Sequence, residues 1–147
     1  MNPNLLDALL AAGHHLLAFA LAALLFAEWA VAGQPPERRL VTLLARLDMS
    51  YGAVAGLLLL AGGARLLWGA KGWAYYLGSH AFWVKLACFL AIGLLSLRPT
   101  LRILGWRRRA GLPGCGELRA LRRWMMVQLI LVPPILLCAS LMARGLG

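Results

Sequence analysis

Four stretches of this chain, residues 5–32, 40–63, 81–98 and 124–143, are apolar for long enough to cross a lipid bilayer. A hydrocarbon core of roughly 30 Å takes about 20 helical residues to span, and inside it the backbone amides must be paired within each segment. The chain is therefore expected to be an all-α integral membrane protein, a single transmembrane domain over residues 1–147 built as a four-helix bundle. Composition agrees. Charged residues make up 14% of the chain, against about 25% in soluble domains.

The net charge of +10 lies between the apolar stretches rather than along one soluble face, which makes it a topology signal and argues against nucleic acid as a partner. Arg38 and Arg39 occupy the first connection, and eight more arginines lie between Arg98 and Arg123, with Glu117 the one acid among them. The other side has only Arg65, Lys71 and Arg144. Basic connections stay cytoplasmic. Both termini and the aromatic-rich connection over residues 64–79 are thus expected on the non-cytoplasmic face, the periplasm of a Gram-negative cell. The first segment lacks the basic start of a signal peptide and is expected to be retained. The third helix should close at Arg98-Pro99, because the residue before a proline avoids helical geometry. A break is expected at residues 111–116, and a kink at Pro133-Pro134 in the fourth span, where amide donors are missing.

The few polar residues within the spans carry the functional information. Lys85 stands inside the third span, where an ammonium costs roughly 3 kcal/mol unless it pairs, snorkels or serves a function. It shares a helix face with Cys88, Phe89, Ile92 and Ser96. In the first span Asp7, His14, Leu21 and Glu28 recur every seven residues, a stripe that drifts by about 20° per heptad. That stripe points His14 inward, with His15 about 100° round the helix. Lys85 lies about 7 Å and His14 about 14 Å from the same bilayer boundary, so a lysine stem reaching inward brings both to one depth. Glu28 is expected to pair with an arginine near the opposite boundary. Asp48 is expected in an intramembrane ion pair or hydrogen bond, with Arg46 as a candidate partner. Gly52 and Gly56 have the spacing that lets helices approach closely. Arg65 and Lys71 lie among Trp68, Trp73, Tyr75 and Tyr76, which anchor in the headgroup region. Cys88, Cys115 and Cys138 show neither metal nor redox spacing.

No metalloprotease, nucleotide-loop or nucleophile-elbow motif is present, and four short spans with few acids do not suit an ion-coupled transporter. The stretches GHHLLAFALAALLFAEWA, RLDMSYGAVAGLLLLAGGARLLWGAKGWAYYL and FWVKLACFLAIGLLSLRPT, with a terminal LMARGLG, resemble a family of small predicted bacterial membrane proteins of unknown function. More distantly, a first-span histidine with a third-span lysine in a W-x-K-L context is similar to the haem-containing membrane protoporphyrinogen oxidases and CopD-type membrane domains. That resemblance implies haem b, with His14 or His15 and Lys85 at the iron and a bacterial inner-membrane location. The expectation is then a bundle holding haem b or a related porphyrin between the first and third spans, for electron transfer or porphyrin oxidation. A neutral His14 and a neutral Lys85 would take the axial positions, His80 would replace a snorkelling lysine, and Arg65 and Lys71 would pair with the propionates. The competing expectation is a structural or assembly subunit without cofactor, a homo-oligomer or the partner of another membrane protein.

Overall fold

The computed structural model describes residues 3–69 and 72–144. They form five helices: α1 (Pro3–Val31), α2 (Arg38–Trp68), α3 (Gly72–Leu77), α4 (His80–Arg109) and α5 (Cys115–Ala143). All four long helices carry a stretch apolar enough to cross a membrane. α1 packs on α2 and α5, and α4 packs on α5 and α2, so the four close into a ring. Short connections make sequence neighbours antiparallel. The start of α1 and the end of α5 therefore share one end of the bundle, here the terminal end, and the arginines collect at the other.

The ring is held by one cluster that runs its length, with Leu21 and Leu25 from α1, Leu44, Tyr51 and Leu58 from α2, Ile92 and Ile103 from α4, and Leu121 and Met125 from α5. On α1 the heptad stripe turns inward as expected: Leu21 and Glu28 are buried, and Asp7 and His14 are half-buried. Leu16, Phe19, Leu60 and Leu94 face outward. Lipid tails are as apolar as leucine, so these positions carry no penalty in a bilayer.

Pro99 does not end the third span. α4 continues ten residues further, through Pro99, to Arg109. At 1.5 Å per residue its 30 residues measure about 45 Å, well beyond the roughly 30 Å of hydrocarbon. The end of α4 and the start of α5 form a helical hairpin at the arginine-rich end. An interior proline costs about 3 kcal/mol, and Ile103, Leu118 and Leu121 of the same hairpin pack in the shared core. The hairpin turns more tightly than the glycines suggest, over residues 110–114. Ala110 takes a left-handed φ of 48° and donates its N–H to the last carbonyls of α4. The Glu117 carboxylate accepts the Gly114 N–H at 2.9 Å. α5 therefore begins at Cys115 and runs as one helix through Pro133-Pro134.

At the terminal end α2 continues past Gly63 to Trp68, and the aromatic connection contains the short α3. Buried Ser79 caps α4, its hydroxyl accepting the Phe82 N–H at 3.3 Å. Tyr75 donates to the Met142 carbonyl at 3.1 Å and ties this connection to the end of α5. The expected packing role of Gly52 and Gly56 is corrected: both are exposed, and a Cβ at either would meet nothing within 4 Å. Asp48, Tyr51 and Leu58 turn inward instead, and Gly52 lies about 100° round the helix from Tyr51.

Ile103→Ala should lower the stability of the detergent-purified protein by about 2–5 kcal/mol, the range for emptying a buried aliphatic site. Gly52→Leu and Gly56→Leu should stay within about 0.5 kcal/mol of the parent in the same melting experiment.

Candidate functional site

Near the terminal end, α1, α2 and α4 diverge around a cavity of about 350 Å³. Its walls are apolar, with Leu58, Leu66, Leu86 and Phe89 among them, and its polar groups are His14, Arg65, Lys85 and Tyr76. Among the described residues no acid lines it. Gly62 leaves bare helix surface beside the imidazole: a Cβ there would lie 3.5 Å from His14 Cε1. His14 Nδ1 and Arg65 Nε are buried with no hydrogen-bond partner. Lys85 is half-buried, with its Nζ 5.9 Å from the Phe82 ring centroid.

Of the residues singled out in the sequence, the fold brings His14, Lys85 and Arg65 into this one cleft. His15 turns outward. It is exposed, its Nδ1 lies 2.7 Å from the Ala11 carbonyl, and its ring stands edge-on to that of His14 at 6.2 Å. His80 is exposed at the first turn of α4 and does not line the cavity. Lys71 lies outside the described residues. Tyr76, Gly62 and Phe89 complete the cleft, and nothing in the linear pattern separates them from the interfacial aromatics and small residues around them. Among the described residues no three histidines, cysteines or acids gather as a metal site.

Below the cleft an apolar cavity of about 60 Å³ shares Ala18, Leu58, Phe89 and Ile135 with it and reaches Tyr51. Beyond Tyr51 lies a second polar group of residues, toward the arginine-rich end. Asp48 accepts the Thr100 hydroxyl at 2.7 Å. Arg46 is exposed and is not that partner, because residues two apart lie about 200° apart round a helix. Glu28 points into the bundle, 2% exposed, and its Oε1 has no hydrogen-bond partner. The expected arginine partner stacks elsewhere: Arg122 lies 4.4 Å over the Trp29 ring, as Arg98 lies 4.6 Å over Trp124. Such stacking is worth about 0.5–2 kcal/mol according to burial and leaves the carboxyl to the interior. Gln128, 1% exposed, donates from Nε2 to the Trp124 carbonyl at 3.4 Å and leaves Oε1 unpartnered. The lone amide in the fourth span was a signal the sequence offered. Thr100 was hidden behind the proline expected to end its helix.

Residues 6–147, nearly the whole of this architecture, match the model of a family described as predicted membrane protein, DUF2214. The chain belongs to this family. Its description agrees with the four apolar helices and names no activity. No curated protein and no solved structure matches the chain.

Thr100→Val should destabilise the protein by about 1–3 kcal/mol by leaving Asp48 without its donor, while Thr100→Ser should restore most of the loss. Thermal melting of the two variants beside the parent checks this.

Proposed function

We propose that the cleft binds haem b or a related porphyrin, and that the protein serves electron transfer or porphyrin oxidation in the bacterial inner membrane. The observation that carries this is the buried, unpartnered His14 Nδ1 in a cavity that also collects Arg65 and Lys85 and, among the described residues, contains no acid. The volume of about 350 Å³ falls in the range of small-molecule sites. Its division into apolar walls and a few cationic groups suits a flat hydrocarbon body bearing carboxylates. A neutral imidazole offers iron a lone pair, and a neutral Lys85 would offer a second. Arg65 is the group for a carboxylate, since its planar fork matches one in two hydrogen bonds. Leu58, Leu86 and Phe89 would shield the macrocycle from water. Bound haem would supply reversible one-electron chemistry.

Orientation follows from charge. The hairpin and first connection carry the arginines, so we place that end in the cytoplasm and both termini, with the cleft, on the opposite side. Exposed Arg107, Arg108, Arg109, Arg119 and Arg123 favour a second reading, in which the hairpin docks a partner or anionic lipid and the protein is an assembly subunit.

A visible spectrum of the detergent-purified protein, before and after haem addition, separates the two. A Soret band is expected, with His14→Ala and Lys85→Ala each weakening or abolishing it and Cys115→Ser leaving it unchanged. A preparation that stays colourless after haem reconstitution removes the cofactor. For orientation, a C-terminal reporter should be active only outside the cytoplasm.

A further inference from the structure

The cleft is capped at its terminal end. Tyr76, Ala81 and Met142 are buried there in an apolar cluster of their own, with Leu66, Phe82 and Cys138 packed against it. The Tyr75 hydroxyl on the Met142 carbonyl, at 3.1 Å, ties the cluster together. Leu66, Tyr76 and Phe82 also line the cleft, so the cap is one of its walls. At the inner end Leu58 belongs to the main core and Phe89 packs against it. Among the described residues that line the cleft, two are exposed, Leu59 and Gly63.

These two mark the seam between α2 and α4. The helices are antiparallel neighbours, joined toward the arginine-rich end by the Thr100 hydroxyl on Asp48 at 2.7 Å. Leu59 follows Asp48 by eleven residues, which returns it to within about 20° of the same helix face, the face that meets α4. Phe89 precedes Thr100 by the same interval, so the register set by this bond puts Leu59 opposite Phe89 and Gly63 opposite Lys85. All four line the cleft. Yet Leu59 is 52% exposed, and a Cβ on Gly63 would meet nothing within 4 Å. The two helices are thus held together at Asp48 and stand apart about 16 Å further along. Beside the gap Leu60 and Leu90 are exposed, within helices apolar enough to cross a membrane. An opening flanked by outward leucines faces lipid tails.

We propose that this gap, between Leu59 and Gly63 of α2 and Lys85 and Phe89 of α4, is a lateral portal through which the ligand enters and leaves by way of the bilayer. The ligand is then an anionic amphiphile dissolved in lipid, and not a solute delivered from water at the capped end. The proposal rests on the reading of the cleft as a porphyrin site and specifies how the site is filled. A flat macrocycle can pass edge-on between two parted helices. Its carboxylate meets Lys85 at the mouth, because Gly63 opposite has no side chain to screen the ammonium, and Arg65, with its buried and unpartnered Nε, supplies the next cation.

Haem added to the full-length apoprotein in phosphatidylcholine vesicles, followed over time at the Soret band, tests the route. A side chain placed in a portal raises the barrier in both directions and leaves the bound state alone. Gly63→Leu should therefore slow haem loading and haem release alike, by about tenfold, with the affinity unchanged. Leu59→Trp should do the same, and it carries the test if Gly63→Leu fails to fold. Leu60→Trp adds bulk to the lipid face beside the mouth without lining the cleft, and should load at the parent rate. Loading at the parent rate in both portal variants, equal slowing in Leu60→Trp, or lost affinity with an unchanged loading rate would each overturn the portal and leave the porphyrin site standing. A parent protein that takes up no haem overturns both.

Discussion

In hydrocarbon, apolar side chains gain nothing by leaving lipid for protein, so the position of each polar group becomes the organising constraint of the bundle. The ring of α1, α2, α4 and α5 exposes leucines and phenylalanines freely. Between its helices it gathers His14, Arg65 and Lys85 toward one end and Glu28, Asp48, Thr100 and Gln128 toward the other. Where the partner of a buried polar group lies on another helix, the pair fixes how the two helices face each other. Asp48 of α2 and Thr100 of α4 show the pairing directly.

The two sites differ in chemistry. Among the described residues the cleft gathers cationic and imidazole nitrogens and no acid. The other group has two acids, a hydroxyl and an amide. Between them lie an apolar cavity and the ring of Tyr51.

At the arginine-rich end Ile103, Leu118 and Leu121 are buried in the same core as the rest of the bundle, and α4 runs through Pro99. The arginines are consequently displayed on two rigid helices with a five-residue turn over 110–114, instead of on a loose loop.

The number of spans, the inward stripe of Asp7, His14, Leu21 and Glu28, and the outward position of His15 were legible in the sequence, because a long apolar run and a seven-residue period have few structural solutions. Helix ends were less legible. Pro99 and Gly63 are local breaking signals, and the helices run through both. Partners were not legible at all: the sequence placed Asp48 beside Arg46 and Glu28 beside an arginine, whereas the fold gives Asp48 to Thr100, 52 residues away, and turns Glu28 inward. The convergence of His14, Arg65 and Lys85 on one cavity likewise belongs to the tertiary structure. Periodicity decides which face of a helix is buried, but only the packing of helices decides which buried groups meet.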